Sequence, residues 1–323
     1  MFRKEVHRCL KKVIFSGPML LFNPWSGCSK VAPGCKFCYA EQNMSVKLQG
    51  VKWGPNGTRK RSSDSYWNQP IKWDKKAKAD GKRTRVFCAS LADVFEEWSG
   101  HIIDHKGKLL WRDKNGRYAD AERSGFHPYE VATMSHLRTD LFNLIDKTPN
   151  LDWLLLTKRP QNIRKMWPSH GIGDFHDKDE ICTVSYYRDN CWVGCSVSEQ
   201  ETFDDNVDAL LSCDDLGSVL FLSYEPCLGE CDLTPFLEVE TQATKWVIVG
   251  AESPQGGNEA RMCKMKWVRD SIKQCKEFGV PCFVKQLGPK PIDENECFVI
   301  MGDSHGGDMD LWPEDIRVRE FPE

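Results

Sequence analysis

Cys28, Cys35 and Cys38 are the residues of this chain whose types and spacing bear most directly on chemistry. They stand in Asn23-Pro24-Trp25-Ser26-Gly27-Cys28, Pro33-Gly34-Cys35 and Cys38-Tyr39-Ala40-Glu41, a C-x6-C-x2-C spacing with Phe37 just before the last thiol. Three thiolates make an incomplete cage. A structural zinc takes four protein ligands, and a [4Fe–4S] cluster has four irons to coordinate, so three cysteines would leave one iron open to another molecule. Two other fates are open to the same thiols. They could be buried as small apolar side chains, or they could be three of four zinc ligands with Cys9 or a distant histidine as the fourth. Pro33 and Gly34 favour a tight turn, and Gly27 and Gly34 allow close backbone approach. Both suit thiols that converge from a loop.

The elements that must position such a loop follow from the apolar runs. Strands are predicted near Leu20–Asn23 and over Arg85–Ala89, Trp153–Leu156, Trp192–Val197, Val219–Leu222, Trp246–Val249 and Cys282–Val284. Near-continuous rather than alternating apolarity suits parallel strands buried on both faces. Helical spacing falls between them, at Tyr129–Lys147, Glu201–Leu211 and Met265–Phe278. The series predicts an α/β protein, a partial or complete parallel β/α barrel, over residues 1–290. Two insertions interrupt it: Ser99–His127, where Asn115-Gly116 signals a hairpin, and Pro168–Asn190, with His170 and His176, read as a loop or lid. Residues 291–323 form an acidic extension packed on or trailing from the barrel, and read as peripheral.

Polar residues recur where these strands end: Ser90-Leu91-Ala92-Asp93, Thr157-Lys158-Arg159-Pro160, Ser196-Val197-Ser198-Glu199, Ser223-Tyr224-Glu225-Pro226, Gly250-Ala251-Glu252-Ser253 and Lys285-Gln286-Leu287-Gly288. Barrels of this class build their sites at the carboxyl ends of strands. Each such residue alone could equally be a strand-end salt bridge or a cap, but six polar ends in succession predict a lined mouth.

The 323 residues are 40% hydrophobic and 28% charged, an ordinary globular composition. No apolar run approaches the ~20 residues of a membrane helix. The start resembles an export signal superficially, but Ser16-Gly17-Pro18 splits its apolar stretch. With 15 cysteines and no export signal, a reducing cytoplasmic setting is expected. Cys191/Cys195 and Cys227/Cys231 repeat a C-x3-C spacing, and packing is the favoured role for them over a second cluster. There is no P-loop and no dinucleotide fingerprint after a strand. Net charge is −3, but Arg59–Arg85 carries +7, leaving −10 on the rest. Trp67 and Trp73 are interleaved with those cations. Phosphate contact plus base stacking would need such a segment, and a solvated helix face would look the same.

Taken together, these motifs resemble the radical S-adenosylmethionine-like proteins common in bacteriophages and prophages, and more remotely the spore photoproduct lyase type. The likeness runs in order from residue 20 to about residue 290, through the cysteine motif, Ser90 to Phe95, Leu156 to Pro160, Gly194 to Ser198, and the later strand ends. Ala251, where that family usually has a second glycine, and the Ser99–His127 insertion depart from it. The resemblance implies a radical S-adenosylmethionine type of barrel, with a [4Fe–4S] cluster on Cys28, Cys35 and Cys38 and S-adenosylmethionine on the open iron. Reductive cleavage would then give a 5′-deoxyadenosyl radical that abstracts a substrate hydrogen. It implies Ser90 and Asp93 for the methionine ammonium, Ser196, Ser198 and Glu199 for the ribose, and Tyr39 within the cofactor-binding set. Lys158, Arg159, Glu225, Glu252, Lys285 and Gln286 would face substrate. A reductant such as flavodoxin or ferredoxin is an expected partner, with no membrane, and the host cytoplasm is the expected compartment if the chain is phage-encoded. Three functions follow as expectations. The first is modification of a nucleobase in phage DNA, such as a hypermodified thymine; the second is radical chemistry on a peptide or small metabolite. The third is a non-catalytic, metal-stabilised nucleic-acid-binding module, which has no need of a lined mouth.

Overall fold

The apolar runs form seven parallel strands whose order in the sheet is their order in the chain. The computed structural model describes residues 19–42, 50–120, 130–172 and 183–323. Cys9, His176 and the end of the Ser99–His127 insertion lie outside these residues. The strands are β1 (Met19–Phe22), β2 (Thr84–Cys88), β3 (Leu151–Thr157), β4 (Arg188–Val197), β5 (Gly217–Tyr224), β6 (Thr244–Gly250) and β7 (Cys282–Gln286). Each pairs in parallel with the next. Parallel strands need long crossovers, and crossovers of one hand put the helices on one face. The sheet curls into a half-barrel. The barrel is thus partial: among the described residues β1 and β7 do not pair with each other.

Alternate strand residues divide into two cores. Leu154, Trp192, Val219, Phe221, Trp246, Ile248 and Phe283 fill the concave side, with Trp246 in ring contact with Trp192, Phe221 and Phe283. The other set, including Val86, Trp153, Leu155, Val193, Leu220, Val247 and Val284, packs under the helices. The longer helices are α1 (Gln69–Asp80), α2 (Met134–Asp146) and α3 (Met265–Glu277). Thr133 caps α2 by accepting from the His136 amide, while His136 accepts from the Thr133 amide in return. The helix predicted over Glu201–Leu211 is two short pieces, Gln200–Asp204 and Val207–Leu211.

The C-terminal extension is not peripheral. Its backbone runs along the free edge of β7, where the Val284 amide donates to the Val318 carbonyl (2.8 Å) and the Glu320 amide to the Cys282 carbonyl (2.9 Å). Trp312 and Ile316 are buried, and Phe321 reaches the concave core against Trp246 at 5.4 Å between ring centres. An edge that would otherwise present unpaired amides is covered.

The expected hairpin forms between Leu110–Arg112 and Tyr118–Asp120, with Glu130–Val131 added antiparallel. The Pro168–Asn190 stretch contains a short antiparallel pair, His170–Ile172 with Thr183–Ser185, and its last residues, from Arg188, already belong to β4. One small sheet has no counterpart in the sequence reading: Trp25–Ser26, Arg59–Arg61 and Ile102–Ile103 pair side by side.

Candidate functional site

The cysteine loop leaves β1 and arches over the carboxyl end of the sheet. Gly27 sits at φ 110° where an added Cβ would lie 2.2 Å from the Thr58 carbonyl oxygen, so only glycine fits. At the far side of the arch, a Cβ on Gly34 would meet Pro226 at 3.2 Å, Lys158 Cε at 3.5 Å and Ser198 at 3.7 Å. The loop backbone therefore rests on the ends of β3, β4 and β5. Arg261 ties it to β6: the guanidinium pairs with Glu252 (2.6 Å), donates to the Pro33 carbonyl (3.0 Å) and covers the Phe37 ring. Tyr39 ties it to β2, its hydroxyl donating to the Ser90 carbonyl at 2.6 Å.

Cys28, Cys35 and Cys38 are free thiols, each partly exposed. Among the described residues no three His, Cys, Asp or Glu side chains converge on one point closely enough for a single ion. A cube of four irons would take each thiolate on a different iron, so its ligands need not meet at one point. Burial pushes the Cys28 thiol up to about 12, and the Asp93 and Glu96 carboxylates add to this against Arg159. Cys38 is also raised, by burial, against the Glu41 and Ala40 amides and the Lys158 charge. Burial thus favours the protonated thiol at both positions.

Below the loop, residues facing the inside of the half-barrel form a polar layer above the aromatic core. Lys158 Nζ donates to Ser196 Oγ (2.7 Å), Ser196 Oγ donates to the Glu225 carbonyl (2.9 Å), and Ser223 Oγ donates to Glu225 Oε2 (3.1 Å). Lys285 Nζ lies 2.9 Å from Glu225 Oε1. Glu225 fits because position 250 is glycine; a Cβ there would come within 2.4 Å of its carboxylate. Four predicted residues, Lys158, Ser196, Glu225 and Lys285, are thus brought together across β3, β4, β5 and β7.

The other predicted residues divide differently. Asp93 is 5% exposed and accepts four hydrogen bonds: Oδ1 from Thr157 Oγ1 (2.7 Å) and the Phe95 amide (2.9 Å), Oδ2 from Arg159 (2.8 Å) and the Lys158 amide (3.3 Å). A carboxylate has about four acceptor sites, so none remains for a ligand ammonium. Asp93 positions Arg159. Arg159 in turn donates to the Ser29 carbonyl (2.7 Å) and lies 3.6 Å from Cys28 Sγ. Ser90 Oγ is used internally, donating to Asn23 Oδ1 (3.1 Å). Glu199 is the N-cap of the Gln200–Asp204 helix, and the Ser198 amide donates to Thr202 Oγ1 (2.8 Å). Gln286 donates to the Ala251 carbonyl (2.6 Å) and to Ser253 (2.9 Å) inside the protein.

A cleft of about 1440 Å³ opens beside the loop, lined by Ser29, Pro33, Trp98, Lys158, Arg159 and Glu201 among others. It is large enough for a nucleotide-sized ligand.

Residues 19–118 and 107–298 match the profile of a family described as "Protein of unknown function (DUF5131)". The chain belongs to the DUF5131 family. No curated protein and no solved structure matched it in the corresponding comparisons.

The matched DUF5131 region includes the basic segment, which does not form one surface. Arg59, Lys60 and Arg61 are buried, Arg59 against Glu96 at 2.6 Å with its guanidinium over Trp98. Trp67 is buried under Arg61, and Trp73 meets Phe22 edge-on in the core. Arg85 lies over the Phe321 ring. The exposed cations that remain, Lys72, Lys75, Lys76, Lys78, Lys82 and Arg83, carry no exposed tryptophan between them. Asp74 accepts from the Asn150 amide (2.8 Å), just before β3 begins. The second half of α1 is therefore at the end of the sheet away from the mouth. The pairing of cations with stacking aromatics is corrected to a solvated helix face.

Beyond the DUF5131 match, the extension brings His305 to the end of β6. Gln286 donates to Ser253 Oγ, which leaves the Ser253 hydroxyl hydrogen to His305 Nδ1, 2.6 Å away. Sequence reading missed this pair, because a lone histidine in an acidic tail carries no periodic or motif signal. Burial lowers the His305 pKa from 6.5, and Lys285 acts in the same direction against Asp303. The folded state thus disfavours the imidazolium. Its contribution to stability is fully present above 6.5 and lost as pH falls through the lower, folded midpoint. An NMR titration is expected to give His305 a midpoint below 6.5, moved upward by Ser253→Ala, which removes the donor to the neutral ring. A parent midpoint at or above 6.5 would contradict the geometry.

Proposed function

We propose that this DUF5131 protein is a radical S-adenosylmethionine enzyme whose [4Fe–4S] cluster is held by Cys28, Cys35 and Cys38. The observation that carries the proposal is the seating of three free, partly exposed thiols on a loop that spans the carboxyl ends of β3 to β6. An open parallel half-barrel with a polar layer under that loop is the architecture the sequence resemblance implies. When bound, the cluster and S-adenosylmethionine supply one-electron reductive cleavage of the sulfonium and abstraction of a substrate hydrogen.

The chain's own residues have separable roles in this reading. Arg261, Glu252, Tyr39 and Ser29 fix the loop; Asp93 and Glu96 fix Arg159. Lys158, Ser196, Glu225 and Lys285 present hydrogen-bonding groups to whatever enters the half-barrel from above. The aromatic core beneath them keeps water out of its lower part. Tyr39 remains near the cofactor by its position in the motif.

For the substrate we carry forward a nucleobase, reached from the cleft beside the loop and not by duplex binding along α1. Anaerobic reconstitution tests both levels. The protein is expected to take up iron, turn brown and cleave S-adenosylmethionine, with cleavage increased by phage-type modified DNA or its nucleosides. Stoichiometric zinc without iron would refute the cluster. Cleavage that responds to peptides or small metabolites but not to nucleic acid would reassign the substrate.

A further inference from the structure

Consecutive side chains at the end of a strand point to opposite faces, and β3 is followed at once by two consecutive cations. Lys158 turns inward, its ammonium on Ser196 Oγ. Arg159 turns outward, to Asp93, Ser29 and Cys28. The cysteine loop crosses over this strand end, so the two cations meet it from either side. Arg159 comes to 3.6 Å from the Cys28 sulfur. Lys158 lies under Gly34, its Cε 3.5 Å from where a Cβ would stand, and its charge is felt at Cys38.

Their charge states differ in a way that matters. Arg159 is engaged with two carboxylates, Asp93 at 2.8 Å and Glu96 at 3.5 Å. Lys158 has no carboxylate partner among the described residues; it makes one hydrogen bond, to a neutral hydroxyl. An uncompensated ammonium in a half-buried position is well placed to act on an anion, and a cluster on the loop above it would be one.

We infer that Lys158 and Arg159 are positioning residues that set the reduction potential of the metal centre on this loop, Lys158 more strongly because its charge is not already neutralised. The inference rests on the cluster proposed above. One electron, delivered by a flavodoxin- or ferredoxin-type reductant or by dithionite, adds a unit of negative charge to a centre that is already anionic. A fixed cation nearby stabilises the reduced form more than the oxidised one, and the loop and strand keep that cation from being replaced by water.

The test is a potentiometric titration of the anaerobically reconstituted full chain, followed by electron paramagnetic resonance, with iron content measured on every sample. Lys158→Met is expected to keep the parent's iron and to lower the equilibrium constant for reduction by about tenfold, equivalent to 59 mV for one electron. Lys158→Arg and Arg159→Lys retain the charge and are expected to stay near the parent. Arg159→Met is less informative, since it strands the Asp93 carboxylate; Lys158→Met decides the matter. Full iron and an unchanged potential in Lys158→Met overturn the inference while leaving the cluster in place. An unchanged potential with weakened S-adenosylmethionine binding also overturns it, and gives Lys158 to the cofactor's carboxylate instead. Absence of iron in the parent overturns the reading beneath it.

Discussion

Alanine at Cys28, at Cys35 or at Cys38 is expected to abolish the iron content and visible absorbance of the reconstituted protein, each substitution alone being sufficient. A cluster held by three thiolates has no spare protein ligand. The fold is expected to survive. The three thiols are partly exposed, and Cys28 Sγ makes only weak contacts, to the Ser29 carbonyl at 3.4 Å and to Arg159. Cys195→Ala is the contrasting control. Cys195 is fully buried in β4 against the helices, so this variant should keep its iron and lose stability through a small cavity, on the order of 1 kcal/mol. Iron retained by any of the three loop variants, or lost from Cys195→Ala without unfolding, would break the assignment.

The contrast between these cysteines shows what the sequence makes legible. Strand cysteines such as Cys191 and Cys195 sit inside apolar runs, and the runs themselves located all seven strands because a parallel strand covered on both faces has few polar positions. The polar ends of those strands were legible for the same reason: apolarity stops where the sheet meets the mouth. What each polar end does was not. Asp93 and Glu199 look alike in sequence as strand-end acids, yet one orients an arginine and the other is the N-cap of a helix, and that choice is made by partners 64 to 66 residues away or by the helix that follows. The Trp25–Ser26, Arg59–Arg61, Ile102–Ile103 sheet was illegible because its strands are two or three residues long, too short for any periodicity. Misreading Arg59 followed from this. Without the small sheet, nothing distinguishes a cation in a solvated run from one pointing inward. The C-terminal extension was misjudged on its charge; Trp312, Ile316 and Phe321 anchor it, while its acidic residues face water.

Arg59 therefore makes the sharpest test of the corrected picture. It is fully buried, its Nε and NH2 groups paired with both oxygens of Glu96 at 2.6 and 2.8 Å, its NH2 on Ser29 Oγ at 3.0 Å and its plane over Trp98. Glu96 also accepts from the Ser29 amide at 2.9 Å, so the pair clamps the residue next to Cys28. Removing one partner of a buried ion pair leaves the other charge desolvated and costs roughly 3–5 kcal/mol. Arg59→Met should lower stability by that much, read as a fall in the denaturation midpoint at unchanged denaturant slope. Lys75→Met, on the solvated face of α1, should change stability by less than about 0.5 kcal/mol. The double variant Arg59→Met with Glu96→Met should lose less than the sum of its single changes, because no charge is then stranded. If the clamp also shapes the cysteine loop, Arg59→Met will bind iron more weakly under conditions where it is still folded, whereas Lys75→Met will bind it as the parent does. A loss below about 1 kcal/mol for Arg59→Met would mean that the guanidinium reaches solvent, and the basic segment would return as a candidate surface for nucleic acid.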